Sequence, residues 1–545
     1  MEILKPLNQD ELSIEQQIGQ MLIARPPRSR ADKEYILQLL RNKSLGGIQV
    51  TGYFRAVTGN SDLDQDDRDM IAEFQEAAGY PLLIMDDMEF GFSGGKVALP
   101  SPMGIGSIDS EEMAYQFGRI TAIEAKAAGY NTVFGPCMDL ASNPASSAVG
   151  ARAFGSDKEL VARMAAAVIR GYQDEGMLVT AKHFPGSGAA AIDNHIRLAP
   201  LNKSVDTIMK EDSYPYLKAI KDADLSGIMM GQVIVPSIDP DYPATLSAKM
   251  NRFLRETIGF RGLVITDSFT MVSLRNRFSL EECLRYGMAA GNDMVMTSYR
   301  EDTQPAYEAM LKAYREGYVT EEQISRACSA VLAAQKKTLQ KARQQEITDQ
   351  EREIAARMVE QSITATVRGA DSAAVDPSLR YMILIEEGNL CIDPAYNKEV
   401  REYDGSLAVA EEEIRKRFIN SDIYHITEFP CRNMMFDLLR RSIHYDRIIM
   451  VVYNKSIAYT GSSDLTKRML AYMEGVRDRL EAVVMFGNPY AAREFPPVPR
   501  IIYGYDESEV CQRYVIKTLT GEHIPTGKLP VKVEFRETEG AENGR

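Results

Sequence analysis

The chain contains no tryptophan and only five histidines among its 545 residues. Nowhere does it approach the roughly 20 consecutive apolar residues that a membrane-crossing helix needs. The opening MEILKPLNQDELSIEQQ lacks the basic start, apolar run and small-residue cleavage site of a secretory signal. A cytoplasmic location without a membrane span is the expectation. The six cysteines, Cys137, Cys283, Cys328, Cys391, Cys431 and Cys511, include no Cys-x-x-Cys pair. That spacing suits neither a disulfide framework nor a zinc knuckle, so reduced thiols are expected. His183 and His195 stand twelve apart with no His-x3-His and no cysteine cluster beside them, so no metal and no cofactor are expected.

Positive charge is also scarce as a pattern. The formal net charge is -14 and the basic residues form no stripe, which excludes nucleic acid as an expected partner. Neither Gly-x-Gly-x-x-Gly nor Gly-x4-Gly-Lys-[Ser/Thr] follows any candidate strand in the C-terminal half, so nucleotide binding has no support there. The Pro-Gly-Ser-Gly-Ala around Ser187 does not match the Gly-x-Ser-x-Gly elbow of a serine hydrolase.

What remains is an ordinary folded chain, 45% hydrophobic and 26% charged. Its length exceeds what one hydrophobic core of about 250 to 300 residues supports, so two domains are expected. Residues 1–340 alternate short apolar runs with stretches of helical period. Eight runs read as strands: 18–24, 45–52, 81–87, 130–136, 178–184, 226–232, 262–268 and 292–298. Eight strand-helix units predict a (β/α)8 TIM barrel, whose functional groups lie at the C-terminal ends of the strands. A polar linker and connecting helix follow over 341–375. Apolar runs at 381–387, 447–454, 481–488 and 500–506 then predict a smaller α/β/α sandwich over 376–545.

The barrel reading places Asp86, Asp87, Lys182, His183, Gln232 and Asp267 at strand ends. Asp267, in GLVITDSFTM, suits a nucleophile or base held by a fixed backbone, and equally an N-cap for the next helix. Asp87 in DDMEFG suits the same roles or a simple turn. His195 titrates near neutrality without heavy burial, and Asp193 two residues earlier can hold its other nitrogen. An Asp-x-His alone also fits a solvated loop. Within KHFPGSGAAAIDNH, 182–195, Lys182 and His183 end a strand, whereas Gly186, Ser187, Gly188 and three alanines read as a loop light enough to swing His195 over a bound substrate.

Taken together, these motifs resemble glycoside hydrolase family 3, in its bacterial β-N-acetylglucosaminidase branch. KHFPGSGAAAIDNH is similar to the family's KHFPGHG…DSH, PLLIMDDMEFG to its PLLIxxDQEGG and NPASSAVGARAFGSD to its NPxxxxRSFGxD. PSIDPDYPATLS and GFRGLVITDSFTM also match, and VVMFGNPY and GKLPVKV look like the second domain of two-domain members. The resemblance implies a retaining exo-hydrolase releasing terminal β-linked N-acetylglucosamine from a small carbohydrate substrate, with cell-wall fragments as the natural source in a cytosol. It implies Asp267 as nucleophile, His195 with Asp193 as acid/base dyad, and Asp87, Arg152, Lys182 and His183 as contacts to sugar hydroxyls. Ser187 in place of the PGHG histidine and Gln232 in place of a strand-borne histidine depart from the pattern. Phe90 and Phe92, inserted near the mouth, suit sugar stacking or core packing. A β-glucosidase, a glycoside phosphorylase and a non-catalytic carbohydrate-binding relative are the alternatives.

Overall fold

The computed structural model describes residues 4–50, 66–146, 148–339, 344, 346–368, 374–387, 390–393, 398–401, 407–454, 459 and 465–536. It resolves into two compact units: Met1–Lys96 with Ala114–Asn143 and Lys158–Glu351, and Val97–Met113 with Pro144–Asp157 and Arg352–Arg545.

The first unit is an eight-stranded parallel barrel. Its strands are β1 (Leu22–Ala24), β2 (Gly47–Gln49), β3 (Leu83–Asp87), β4 (Thr132–Phe134), β5 (Leu178–Phe184), β6 (Gly227–Met230), β7 (Leu263–Thr266) and β8 (Val295–Met296). They pair in the circular order β7-β6-β5-β4-β3-β2-β1-β8, and the parallel bridge Ile265 to Met294 joins the two ends of that order. Inward side chains fill the interior, among them Ile23, Leu83, Met85, Leu178, Met229, Leu263, Ile265 and Met296. It is a packed core, and the strand ends carry the polar groups.

All eight expected strands are present, and β5 has the expected bounds. The first is shorter than its apolar run. Ile14–Gln20 is helical, because Ser13 and Gln16 form a reciprocal capping box that starts a helix before the strand. Positions 51 and 52 of the second run lie outside the described residues.

The second unit holds a six-stranded sheet: β9 (Thr364–Val367), β10 (Tyr381–Glu387), β11 (Asp422–Thr427), β12 (Arg447–Asn454), β13 (Leu480–Gly487) and β14 (Arg500–Gly504). The order is β9-β14-β13-β12-β10-β11, parallel except for β9 against β14. Alternate residues of the central strands face opposite layers. Ile383, Ile449, Val451 and Val484 pack with Ala410, Ile414, Val515 and Leu519 of the helices Ala408–Arg417 and Glu509–Leu519. On the other face the Tyr472 hydroxyl, from the helix Lys467–Gly475, reaches the Met382 sulfur at 3.8 Å. Burial on both faces is why these strands read as unbroken apolar runs. The expected α/β/α sandwich is therefore present, with two strands the sequence reading did not include, β9 and β11.

Candidate active site

The carboxyl ends of the barrel strands gather charge. On β3, Asp87 forms an ion pair with Lys182 from β5, and the Lys182 ammonium also meets Glu89 Oε1 at 2.6 Å. The lysine side chain is only 3% exposed, whereas Asp87 is half-exposed. The β5 ladder against β6 breaks register between Ala181 and Phe184, so Lys182 and His183 leave the regular pairing. Such a break re-aims side chains at a strand end. Gln49, at the end of β2, donates to Asp86 Oδ1 at 3.1 Å and to Asp87 Oδ2 at 3.4 Å.

Burial, with the neighbouring Asp87 charge adding to it, raises the Asp86 carboxyl to about 8. The folded chain keeps this proton through a pH range in which the unfolded chain, with an ordinary value of 3.8, has lost it. The resulting stabilisation is complete below the unfolded value and is lost as pH rises through about 8. Asp86→Asn cannot ionise, so the fall in melting temperature on going from acidic to mildly alkaline buffer should shrink by a few degrees relative to the parent protein; an unchanged slope in a thermal melt series would contradict this.

Arg25, the residue after β1, is buried and was not singled out from the sequence. Burial lowers its guanidinium to about 10, against the opposing pull of Asp87, Tyr299, Asp86 and Asp267. These four groups, from the ends of β3 and β7 and the segment after β8, therefore share one electrostatic neighbourhood with Arg25. The Arg25 guanidinium carbon also lies 5.3 Å from the Tyr299 ring centroid.

Asp267 follows β7 and is 9% exposed. Its backbone N–H donates to the Met230 carbonyl at 3.1 Å, and its Oδ1 accepts the Ser268 N–H at 2.6 Å. The helix that follows, Val272–Arg275, begins at a Met271 cap with no side-chain hydrogen bond. Asp267 is thus not the cap of that helix. Gln232, past the end of β6, is buried, and neither polar atom of its amide has a hydrogen-bond partner among the described residues.

His195 Nδ1 meets Asp193 Oδ1 at 2.7 Å, and the same oxygen accepts the His195 backbone N–H at 2.8 Å. Asp193 is enclosed while the imidazole is 20% exposed. The loop is docked by its own backbone, since the Ser273 N–H donates to the His195 carbonyl at 3.0 Å. Ser273 lies six residues beyond Asp267, so the loop rests on the segment leading away from the strand-end aspartate.

The beginning of this loop is more tightly held than its composition suggests. Gly186 adopts φ +111° against Asp212, where a Cβ would lie 2.7 Å from a carbonyl oxygen, and a Cβ on Gly188 would lie 1.7 Å from the Leu140 carbonyl oxygen. These glycines serve close backbone approach. Ser187 is held at the same place, its N–H and hydroxyl both donating to Asp139 Oδ1 at 2.5 and 3.0 Å. The other oxygen, Asp139 Oδ2, receives His183 Nδ1 at 2.6 Å. Burial tends to raise the Asp139 carboxyl, but His183, the Ser187 amide and the Cys137 thiol outweigh it and hold the group at about 2.

Of the residues expected from the sequence, Asp87 and Lys182 are directly paired, and so are Asp193 and His195. His183 turns its Nδ1 to Asp139. Arg152 ends the 3-10 turn Gly150–Arg152, donates to the Ala148 carbonyl at 3.0 Å and belongs to the second unit. Phe92 packs edge-on against Tyr130 at 5.5 Å, while Phe90 is exposed. Among the described residues, Cys137, Cys283, Cys328, Cys431 and Cys511 lie outside any disulfide. No helix among the described residues is long and apolar enough to cross a membrane.

Acidic groups at the rim of a (β/α)8 barrel, with an imidazole delivered from a loop, form an arrangement suited to glycosidic bond cleavage. Residues 13–334 match the glycosyl hydrolase family 3 N terminal domain. The chain belongs to that family and is a glycoside hydrolase. It is 35% identical over 253 residues to a β-hexosaminidase of Xylella fastidiosa (strain M23), spanning 44% of this chain and 74% of the relative. It is 28% identical over 337 residues to a β-N-acetylglucosaminidase/β-glucosidase of Cellulomonas fimi, covering 59% of this chain and 57% of that protein. The fold matches the solved glycoside hydrolase family 3 β-N-acetylglucosaminidase of Paenibacillus sp. str. FPU-7 with a TM-score of 0.80 and 24% identity, over 96% of this chain and all of the other.

Proposed function

We propose that the protein is a retaining exo-acting β-N-acetylhexosaminidase that releases terminal β-linked N-acetylglucosamine. The observation that carries this reading is the docking of the Asp193–His195 pair on the segment following Asp267, through the Ser273 to His195 backbone bond. It supports one anomeric centre being served from both sides. Asp267 attacks the anomeric carbon as the glycosidic bond breaks, forming a covalent glycosyl-enzyme. His195 Nε2 gives its proton to the departing oxygen and then takes one from the incoming water. Asp193 supports the charged ring in the first half of the cycle and orients it throughout.

Lys182 and Asp87, already paired, hold the hydroxyls of the terminal sugar, with His183 beside them. Acting in the cytosol, such an enzyme would trim cell-wall fragments ending in N-acetylglucosamine. Turnover of chromogenic N-acetyl-β-glucosaminide, β-glucoside and β-xyloside in parallel tests the substrate class. The acetamido sugar should be preferred by at least about tenfold in kcat/KM, and a preference for glucoside would make the enzyme a β-glucosidase.

The acid/base being an imidazole favours one second reading. A carboxylate in that place would repel phosphate, whereas His195 does not, so phosphate can take the place of water at the glycosyl-enzyme. Sugar 1-phosphate as the main product in phosphate buffer would establish phosphorolysis; free sugar alone would exclude it.

Ser273 gives a direct handle on the loop. Proline is tolerated in the first turn of a helix but has no N–H to offer the His195 carbonyl. Ser273→Pro should lower kcat about tenfold with little change in melting temperature. Equal turnover would show that the docking bond does not position the imidazole.

A further inference from the structure

Three side chains able to ligate a metal, Cys137, Asp139 and His183, converge at the ends of β4 and β5. Asp139, in the stretch that follows β4, accepts His183 Nδ1 at 2.6 Å and Cys137 Sγ at 3.3 Å on the same oxygen, Oδ2. The ligating atoms of all three residues lie within 4.8 Å of one another. Cys137 and Asp139 are buried, and the His183 side chain is 14% exposed, which leaves an approach from the barrel mouth.

Tetrahedral zinc holds sulfur at about 2.3 Å and nitrogen and oxygen at about 2.0 to 2.2 Å, so its ligand atoms stand roughly 3.3 to 3.6 Å apart. The thiol and carboxylate already have that separation. The imidazole must shift to reach that spacing, away from Oδ2, where its hydrogen bond is shorter than the span across a metal, while staying within the 4.8 Å that bounds the three ligand atoms.

A second observation points to the same place. The Tyr216 hydroxyl is fully buried and has no hydrogen-bond partner among the described residues. Asp139 and Cys137 are the charged groups that act on it, and burial with their help drives its pKa well up. Its ring is stacked edge-on against Phe184, the neighbour of His183, at 5.3 Å. A buried hydroxyl without a partner is costly, and a water bound to a metal at the triad would supply one.

We propose that Cys137, Asp139 and His183 bind a thiophilic divalent cation of the zinc or cadmium class, with a water beside Tyr216 as fourth ligand, and that this binding reversibly inhibits the enzyme. The cation takes the place of two hydrogen-bonding protons. The thiol proton is released to solvent, leaving a thiolate, and the imidazole proton passes from Nδ1 to Nε2, freeing the Nδ1 lone pair for the metal. Thiolate and carboxylate together balance the two positive charges, and nothing is oxidised or reduced. Inhibition follows because the metal shifts the His183 ring from its hydrogen-bonded position on Asp139 and fixes it. This second part rests on the sugar-binding role proposed for His183; the binding itself does not.

The test therefore has a readout apart from turnover. Cys431 is exposed, so Cys431→Ser supplies a background free of that surface thiol. Titrating cadmium into this protein should produce an ultraviolet thiolate-to-cadmium charge-transfer band that saturates at one equivalent and is displaced by zinc. The band should vanish when Cys137→Val or, as a conservative second variant, Cys137→Ser is added. Tyr216→Phe should weaken cadmium affinity several-fold. No saturable band, or one that persists without the Cys137 thiol, would overturn the site.

In the activity arm, zinc should inhibit glycoside turnover and be relieved by chelator, with about tenfold or greater loss of zinc sensitivity in Cys137→Val. A cation that binds by the spectroscopic measure yet leaves turnover unchanged would overturn the inhibitory part. A protein that turned over no glycoside would still show the band, so failure of the proposed reaction and failure of the metal site are told apart.

Discussion

Asp267→Asn is expected to lower kcat by about four orders of magnitude, equivalent to about 5 to 6 kcal/mol of transition-state stabilisation. The residue follows a buried barrel strand, and its carboxylate is turned by the Ser268 N–H, with Arg25 in the same electrostatic neighbourhood. The amide keeps the shape and removes the charge and the oxygen proposed as nucleophile. Because Asp267 caps no helix, folding should be little affected, and a melting temperature within a few degrees of the parent is the companion result. A merely structural aspartate would give the reverse pattern, with stability lost and turnover per folded molecule retained.

The second large effect falls on the Asp193–His195 pair, and its signature is a dependence on leaving group. On the proposed mechanism, His195→Ala removes the acid that protonates the departing oxygen and the base that activates water. Poor leaving groups should lose about 10^3-fold or more in kcat/KM, and activated aryl leaving groups far less, because they depart without a proton. Small anions such as azide should restore turnover of the activated substrate by attacking the glycosyl-enzyme without needing a base. Asp193→Ala should cost less, about 10^2-fold, and shift the pH profile, since the imidazole remains but loses the carboxylate that holds Nδ1 at 2.7 Å. Equal losses for all leaving groups and no anion rescue would place His195 outside the proton transfer.

The barrel was legible because its strands lie between the packed interior and the outer helices and carry little but apolar residues, while the polar residues that end them stand out. β5 illustrates this, since LVTAKHF reads as strand to its last residue and the structure agrees. Where the first apolar run exceeded its strand, a local signal had competed. The capping box at Ser13 and Gln16 was present in the sequence, and it claims Ile14–Gln20 for a helix. The strand β11, DIYHIT, carries few apolar residues because it ends the order of its sheet among the described residues, and β9 lies within a stretch whose polarity suggested a linker.

The site divides in the same way. Asp87, Lys182, His183 and Asp267 could be picked out as strand-end residues, and Asp193 with His195 as a pair two apart. Arg25, Glu89, Asp139 and Ser273 could not, because each gains its place from a partner distant in sequence. Arg25 stands immediately after an apolar run, which was the available signal. Asp139 had none: Cys137 and Asp139 share one short segment and His183 follows 44 residues beyond Asp139, a spacing that no linear metal motif announces. The glycines of the loop that carries His195 show the converse error. Composition suggested freedom to swing, whereas Gly186 and Gly188 are small because other backbone passes too close for a side chain.

The most direct measurement is to trap the glycosyl-enzyme with a slow fluorinated N-acetylglucosamine donor and locate the label by peptide mass spectrometry. The expected result is one sugar per chain on the peptide bearing Asp267, accumulating in the parent protein and absent from Asp267→Asn. A label on another carboxylate, or turnover that inverts the anomeric configuration without any adduct, would contradict attack by Asp267 on a centre shared with His195.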